Sequence, residues 1–344
     1  MASQTVESFA ENGRRVPAEW EPQACVWLAW PHNRDTWPGR FDPIPGFYAN
    51  WTRVVAESTP VRMLVDTTTV DSCLGAFGGA PPQNVDLFGI ATNDCWVRDF
   101  GPTFVRDKDA SLIGVDWRYN AWGGKYPPWD QDDEAGRKIC QAANVAYERD
   151  ELCLEGGALE VDGLGRMLTT GCLLTPSRNP NISKEQIARK MYHRLGITEI
   201  VWIENGGMEG DDTDGHIDQL ARFIDPSNVV VASCDDASDP NHKRLADVAR
   251  QLEIWASTTE PRVNIHRLPI PPKRMIDGQR VPESYCNFLR LGPDRMLVPT
   301  FHAATDNHAL AMLRELSGAD VTGLDCTDMI WGLGALHCAS RDMP

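Results

Sequence analysis

Apolar and amphipathic segments alternate along the chain in an order that recurs. Residues 166–174 are mostly apolar or small and predict a buried strand. In residues 183–196, apolar side chains lie four positions apart, and Ser183 and Gln186 have the spacing of a capping box at a helix N-terminus. Residues 198–204 then predict a second strand. The repeating unit is therefore strand, helix, strand.

The same unit can be traced five times. Its first strand begins near residues 24, 111, 166, 228 and 295. A short segment richer in polar residues lies between consecutive copies, at 93–105, 154–163, 213–224, 284–293 and 332–340. Repeats that each leave an apolar face uncovered stack until they close or are capped, so five copies favour a ring.

The short polar segments are expected to be the innermost strands of their units, with their polar side chains converging on a central axis. The last one, 332–340, would complete a ring begun by residues 24–31 and join the C-terminus to the N-terminus. Cys338 would then lie at the centre of the molecule. The sequence accordingly predicts one domain over residues 1–344, with a flexible lead-in of roughly 15 residues at its start.

Charge and cysteine content narrow the class of protein. The chain has 49 acidic and 33 basic residues, a formal net charge of -16, which argues against nucleic acid or an anionic membrane as partner and favours a cationic ligand. Ten cysteines without a CxxC pair predict reduced, mostly buried thiols rather than disulfides or a zinc site. No signal peptide and no membrane-spanning run is evident, so a cytoplasmic location is expected.

Alternating polar residues single out the segment 213–224. Asp214, His216 and Asp218 are two positions apart, and because side chains on a strand alternate, all three would face one side. Taken alone, such a pattern also fits a polar edge strand at the surface. It also fits a metal site in which these three residues act with Glu155.

Two other polar segments add candidates of the same kind. Asp94, Arg98 and Asp99 surround Trp96, and Glu155 precedes two glycines that would allow close approach of backbone or ligand. Each of these alone is compatible with a salt-bridged turn. One such group in each repeat forms a constellation of acids around the predicted axis.

Cys338 is the candidate nucleophile of this constellation. Adjacent residues on a strand point to opposite faces, so His337 is not expected to be its base, and His216 is the candidate instead. Neighbouring carboxylates raise the pKa of a thiol, which disfavours the reactive thiolate. A cationic substrate removes this difficulty, and a guanidinium held between two carboxylates matches their geometry.

Six ordered segments, from WLAWPHNRDTWPG near the start through NDCWVRDFGPTFV, LEGGALEVDG, DDTDGHIDQLARF and NFLRLGPDRMLVP to GALHC, resemble the agmatine deiminases and the porphyromonas-type peptidylarginine deiminases. Members of this family belong to the guanidine-modifying superfamily. Its fold is a five-unit α/β propeller with the active site on the axis. The resemblance implies the same fold here, in agreement with the repeats.

The resemblance also implies a role for each candidate. Cys338 would attack the guanidinium carbon, Asp99 and Asp218 would hold the guanidinium nitrogens, His216 would protonate ammonia and activate water, and Glu155 would orient His216. The intermediate would be a covalent amidino-thioether on Cys338. No metal, nucleotide or redox cofactor is required, and a homodimer is a fair expectation for the family.

Three positions depart from the family pattern. Leu333 stands in place of a glycine, Asp212 in place of a glutamate, and Arg341 lies where Thr-Gln-Gln is usual. Asp212, Trp96 and Trp30 are the candidates for binding the distal amine of agmatine. Arg341 is either a cation for the carboxylate of arginine or a surface residue.

The function expected from these residues is hydrolysis of agmatine to N-carbamoylputrescine and ammonia, a step of polyamine biosynthesis. Deimination of free or peptidyl arginine at the same centre is the first alternative. An amidinotransferase, a metal-dependent hydrolase and a non-catalytic module that binds polyamines are the others.

Overall fold

A computed structural model describes the backbone of Gln4–Thr5 and all of residues 13–344. The predicted flexible lead-in lies mostly outside these residues. Within them, Gln4–Thr5 pairs with a strand at Glu199–Ile203, and the backbone of Arg15 pairs with that of Arg106.

The strands are numbered in chain order over the described residues. They are β1 (Gln4–Thr5), β2 (Cys25–Ala29), β3 (Val61–Val65), β4 (Val85–Gly89), β5 (Thr103–Arg106), β6 (Leu112–Arg118), β7 (Ala146–Cys153), β8 (Glu160–Val161), β9 (Arg166–Thr170), β10 (Glu199–Ile203), β11 (Ala221–Asp225), β12 (Asn228–Ser233), β13 (Asn264–Pro269), β14 (Met275–Ile276), β15 (Gln279–Arg280), β16 (Leu289–Leu291), β17 (Arg295–Thr300), β18 (Asp320–Asp325) and β19 (Ser340–Met343).

The α-helices are α1 (Ile44–Ala56), α2 (Val70–Phe77), α3 (Val97–Phe100), α4 (Ala121–Gly124), α5 (Asp130–Ala143), α6 (Lys184–Leu195), α7 (Pro240–Ala256) and α8 (Asp306–Ser317). Short 3-10 turns lie at Arg34–Thr36, Gly156–Ala158, Gly171–Leu174, Ile217–Gln219, Tyr285–Asn287 and Met329–Gly332.

Five small sheets repeat one topology. In each, an inner strand pairs antiparallel with a second strand, which pairs parallel with a third: β5-β6-β7, β8-β9-β10, β11-β12-β13, β16-β17-β18 and β19-β2-β3. A helix connects the parallel pair in every case, as a parallel crossover requires. The predicted strand-helix-strand unit and the α/β class are confirmed.

The C-terminal strand pairs with the first strand of the first repeat, as predicted. β19 is antiparallel to β2, with Ser340 opposite Leu28 and Met343 opposite Cys25. Every residue of β2 is buried, so the C-terminal strand covers a core element rather than a surface. Cys338, two residues before β19, is anchored by this pairing.

Helix boundaries follow local chemistry. The hydroxyl of Ser183 accepts from the backbone N–H of Gln186, and the Gln186 side chain accepts from the backbone N–H of Ser183, which completes the capping box predicted for α6. At α7, the carboxylate of Asp239 accepts from the backbone N–H of Asn241 and Pro240 occupies the first turn.

The prediction that each polar segment forms a strand is confirmed only for the C-terminal part of each segment. Each polar segment begins with a turn, in four cases helical, and only afterwards forms the inner strand: Val97–Phe100 before β5, Gly156–Ala158 before β8, Ile217–Gln219 before β11 and Tyr285–Asn287 before β16. Polar side chains on these turns satisfy the backbone of neighbouring units, which a strand in register would not permit. Asp214, His216 and Asp218 therefore do not share one face of a strand.

Two further expectations from the sequence concern the cysteines and membrane-spanning segments. All ten cysteines are free, and all but Cys234 are buried. Among the helices of the described residues, none combines the length and the apolar character needed to cross a membrane.

Gly196 and Gly318 allow a test of how tightly α6 is packed. Both glycines end a helix with positive φ, 73° and 63°. A methyl group on Gly196 would overlap the backbone carbonyl of Arg14, whereas one on Gly318 meets no atom. Gly318→Ala is expected to cost about 1 kcal/mol, the left-handed penalty alone. Gly196→Ala should cost about 1 to 3 kcal/mol more, as measured by urea unfolding followed through tryptophan fluorescence. Equal losses would contradict the packing described.

Candidate active site

A cavity of about 590 Å³ opens at the ends of the inner turns. Its walls carry several carboxylates and an aromatic face, and the sulfur-bearing residue lies on its lining: Asp94, Asp99, Asp132, Asp212, Trp96 and Cys338. Among the described residues, Lys125 is the only lysine or arginine on this lining. The cavity is therefore suited to a cation.

Asn287 holds the loop that carries Cys338. Its Oδ1 accepts three backbone N–H bonds, from Ala335, His337 and Cys338, each of 3.2 Å. This fixes the amide orientation, so Nδ2 points at the Cys338 sulfur at 3.0 Å. Asn287 is fully buried on the turn Tyr285–Asn287. Sequence reasoning missed this residue, because a lone Asn before an apolar strand carries no distinctive pattern.

Asp218 approaches the same sulfur. Its Oδ2 lies 3.5 Å from the Cys338 sulfur and 2.8 Å from Nδ1 of His337, and its Oδ1 is buried without a hydrogen-bond partner. Burial favours the neutral acid, but the hydrogen bond and charge of His337 outweigh it and lower the pKa of Asp218. The pKa of the Cys338 thiol is raised well above its usual value by burial and by Asp218 and Asp99.

Asp99 lies on α3 and faces the cavity from the neighbouring unit. Its Oδ1 accepts from the backbone N–H of Gly157 and its Oδ2 from the indole N–H of Trp122, both at 2.9 Å. A side chain at Gly157 would collide with Asp99 and His216, so the glycine permits this close approach. Burial raises the pKa of Asp99 to about 6, against the attraction of His216.

His216 is fully buried between two acids. Its Nδ1 is 3.7 Å from Oδ1 of Asp99 and its Nε2 is 3.7 Å from Oε2 of Glu155, and neither nitrogen makes a hydrogen bond. Burial opposes the imidazolium, but the charges of Asp99 and Glu155 outweigh it and raise the pKa of His216 to about 9. Buried donors without partners point to a ligand that completes them.

Arg178 forms a buried ion pair with Glu155. Its Nε lies 2.8 and 2.9 Å from the two Glu155 oxygens, and its Nη1 donates to Oδ2 of Asp214 at 2.6 Å. The side chains of Glu155 and Arg178 are fully buried. Asp214 has a φ of 66° and also pairs with Lys125, so its carboxylate turns away from His216 and Asp218. Arg178 lies in a connecting segment and carried no signal in the sequence.

Two of the four residues suggested as metal ligands are not available in this geometry. Asp214 and Glu155 are engaged by Arg178, as just described. Over Gln4–Thr5 and residues 13–344, no group of three or more His, Cys, Asp or Glu side chains is arranged to hold a metal ion.

The structure brings most of the predicted site residues to one place. Asp218 contacts Cys338, and His216 lies 3.7 Å from both Asp99 and Glu155. Asp99 and Cys338 line the cavity, whereas Asp218, His216 and Glu155 lie behind its lining. Trp96 and Asp212 line the cavity. Asp212 accepts a 2.5 Å hydrogen bond from the Tyr126 hydroxyl.

The prediction for Trp30 is corrected. Trp30 is 1% exposed and is absent from the cavity lining; its ring packs against Tyr48 and Phe77, and its indole N–H donates to Ser72 at 3.3 Å. The tryptophan directly follows the buried strand β2 and packs into the hydrophobic core rather than into the cavity.

The departures from the family pattern have different consequences. Leu333 lines the cavity with a φ of 68°, a conformation that favours glycine. Arg341 is buried, outside the cavity lining, and its Nε donates to the carbonyl of Pro102 at 2.7 Å. Arg341 is therefore neither a surface residue nor a cation in this cavity.

An α/β fold of small repeated sheets, with a cysteine, a histidine and buried carboxylates on the turns between them, is the fold of the guanidine-modifying enzymes. The chain belongs to the Porphyromonas-type peptidyl-arginine deiminase family, whose sequence pattern matches residues 15–344.

Individual relatives are similar over nearly their whole length. A protein of Pseudomonas aeruginosa (strain LESB58) named agmatine deiminase is 34% identical over 362 residues, covering 97% of this chain and 96% of its own. The solved structure of agmatine deiminase of Enterococcus faecalis has a TM-score of 0.88 at 31% identity, covering 97% of this chain and 96% of that one. A C. jejuni agmatine deiminase with substrate bound has a TM-score of 0.88 at 29% identity, covering 96% of each chain.

Removal of Arg178 tests the balance of charge at Glu155. Arg178→Met leaves a fully buried carboxylate without its cation and is expected to cost about 3 to 5 kcal/mol of unfolding free energy. Arg267→Met is the control, because Arg267 and Glu253 form an exposed pair that should contribute no more than about 1 kcal/mol. Adding Glu155→Gln to Arg178→Met should recover part of the loss. Equal costs in denaturant unfolding would contradict this account.

Proposed function

We propose that this protein hydrolyses the guanidinium group of agmatine to give N-carbamoylputrescine and ammonia. The observation that carries the proposal is the buried group of Cys338, Asp218, Asp99 and His216 at an acidic cavity. Support also comes from relatives named agmatine deiminase that match 97% of the chain.

The guanidinium is bound between Asp99 and Asp218. The unpartnered Oδ1 of Asp218 and the hydrogen-bond-free nitrogens of His216 are the groups left for the substrate. Carboxylate oxygens match the forked N–H donors of a guanidinium, and the hydrogen bonds between them are strengthened by the opposite charges. Asp99 is already oriented by Gly157 and Trp122, so little is lost in ordering it.

The thiolate forms when substrate is bound. In the empty site, burial and the two acids disfavour the thiolate of Cys338. A cation placed between those acids offsets their charge and lowers the cost of the thiolate. The Nδ2 of Asn287, 3.0 Å from the sulfur, stabilises the anion further.

The chemistry then proceeds in two stages. The Cys338 sulfur bonds to the guanidinium carbon, His216 gives a proton to one nitrogen, and ammonia leaves as the C–N bond breaks. His216 next takes a proton from water, whose oxygen bonds to the carbon. The C–S bond breaks, the thiolate returns, and the hydroxyl proton of the adduct passes to solvent, where it balances the ammonia released earlier as ammonium. The product is a substituted urea.

The charge of the cavity favours a substrate with two positive ends. Asp94, Asp132 and Asp212 line the same cavity as Cys338, and Lys125 is already paired with Asp214. The α-carboxylate of arginine would meet these acids without a free cation among the described lining residues. A distal ammonium would meet none of this repulsion.

We propose that Asp212 and Trp96 bind the distal ammonium of agmatine. Both line the cavity, and the Tyr126 hydroxyl already orients the Asp212 carboxylate. The face of Trp96, stacked at 5.8 Å on Trp37, offers a cation–π surface.

The five sheets are proposed to form the five units of an α/β propeller in a single domain over residues 1–344. The shared strand order and the pairing of β19 with β2 support this arrangement. A cytoplasmic location, a homodimer and the lack of a nucleic-acid partner stay predictions from the sequence and its charge.

A substrate panel tests the proposed activity. Ammonia release is measured with agmatine, free arginine and a blocked arginine peptide. We expect kcat/KM for agmatine to exceed that for arginine by about 100-fold or more, because a carboxylate among acids costs several kcal/mol. Acid-quenched protein should carry on Cys338 an adduct of agmatine less ammonia, and Cys338→Ala should neither form it nor turn over. Preference for arginine, full activity of Cys338→Ala, or tight binding of agmatine without ammonia release would each overturn the proposal.

The proposed roles also predict a bell-shaped pH dependence of kcat/KM. Asp99 must be ionised to hold the cation, and its raised pKa places the acid limb near pH 6. His216 must be protonated to release ammonia, and its raised pKa places the alkaline limb near pH 9. Initial rates from pH 4.5 to 10.5 measure both limbs. An acid limb near pH 4 or an alkaline limb near pH 6.5, the ordinary values of the two groups, would contradict these roles.

A further inference from the structure

A chain of three side chains, two fully buried and the third 15% exposed, lies behind the reaction centre. Nδ1 of His337 is 2.8 Å from Oδ2 of Asp218, and Nε2 of His337 is 2.7 Å from Oε1 of Glu19. His337 and Asp218 are fully buried, and Glu19 precedes the first strand of the core. The imidazole therefore links the N-terminal segment to the acid nearest the sulfur of Cys338.

Both ring nitrogens face atoms that only accept. A neutral imidazole has one N–H, so the two bonds to ionised carboxylates are made together only by the doubly protonated, positively charged ring. Two arginines secure the far carboxylate: Arg222 donates to Oε2 of Glu19 at 2.5 Å, and Nη1 of Arg98 is 3.2 Å from its Oε1. The pKa of Glu19 is held well below its usual range by these cations and by His337, against burial.

Charged groups from several elements face this ring. Asp218 and Cys338 lie on its cavity side, and Glu19, Arg98 and Arg222 lie behind it. Arg98 also donates from Nε to the His337 carbonyl at 3.3 Å and pairs with Asp342 at 3.0 Å, and Arg222 pairs with Glu160 at 2.7 Å. Within the part of the chain that the structure describes, the cation that hydrogen-bonds to Asp218 is His337.

This arrangement answers a problem of the site. Asp218 is buried beside Asp99 and the sulfur, surroundings that favour its protonation in the empty cavity. His337 supplies the opposing charge and at the same time directs Oδ2 of Asp218 toward Cys338. Its ring nitrogens are both engaged, so His337 is not free to act as a base.

We propose that His337, held in its charged form by Glu19, is a positioning residue that keeps Asp218 ionised and oriented for the guanidinium. The inference rests on the proposed function, in which Asp218 binds that group. It assigns a role to the histidine beside the nucleophile that does not require contact with substrate.

Two variants separate charge from shape. His337→Asn keeps a donor near the position of Nδ1 but removes the positive charge and the link to Glu19. Glu19→Gln keeps the shape of the residue that contacts Nε2 of His337. It removes the negative charge that favours the doubly protonated imidazole. Glu21→Gln is the matched control, because Glu21 is two residues away and pairs with Arg15 instead.

The test measures binding of butylguanidinium by calorimetry from pH 5 to 9.5, with each variant made in full-length protein carrying Cys338→Ser. Loss of the His337 charge should move the acid limb of binding upward by about one pH unit or more, because Asp218 then titrates above Asp99. Affinity should fall by about tenfold or more near pH 6.5 and return to within about threefold of the parent at pH 9.5. Glu21→Gln should follow the parent curve.

A loss that is equal at every pH would show a merely structural role and overturn the inference, as would curves that superimpose on the parent. If Glu19→Gln does not fold, His337→Asn gives the same decision. Absence of butylguanidinium binding by the parent would also overturn it. Failure of the proposed function is recognised separately, as butylguanidinium binding with the expected pH dependence but no ammonia from agmatine.

Discussion

Buried negative charge around one sulfur is the constraint on which this structure depends. Asp99, Asp218 and Glu155 are nearly or fully excluded from water, and two of them raise the pKa of Cys338. Such a cluster is expensive unless each acid has a partner. The protein supplies a partner for each carboxylate and leaves Oδ1 of Asp218 and both ring nitrogens of His216 without a hydrogen-bond partner.

Each outer partner comes from a different part of the chain. Arg178 holds Glu155, the indole of Trp122 holds Asp99, and His337 holds Asp218. Five short sheets that carry their functional groups on inner turns allow this, because every turn lies beside the turns of other units. Functional side chains placed on rigid turns lose little entropy when substrate arrives.

The repeat could be predicted because its causes are local. Apolar spacing, the Ser183 capping box and the glycine after α6 specify a strand-helix-strand unit from neighbouring residues alone. For the segment 213–224, the alternation of Asp214, His216 and Asp218 mimics strand periodicity, although these residues precede the strand. The left-handed backbone of Asp214 and the turn that follows it break that alternation.

The sequence by itself determined the unit, its five copies, the acidic character of the cavity and the candidates Cys338 and His216. Only the tertiary structure decided which side chains balance them. Asn287, Arg178 and Glu19 contact Cys338, Glu155 and His337 across 51, 23 and 318 residues of sequence. Trp30 was assigned to the core by packing. The periodicity of apolar residues depends on contacts between neighbours along the chain. The partners of a buried charge depend instead on which units lie next to each other in the folded protein.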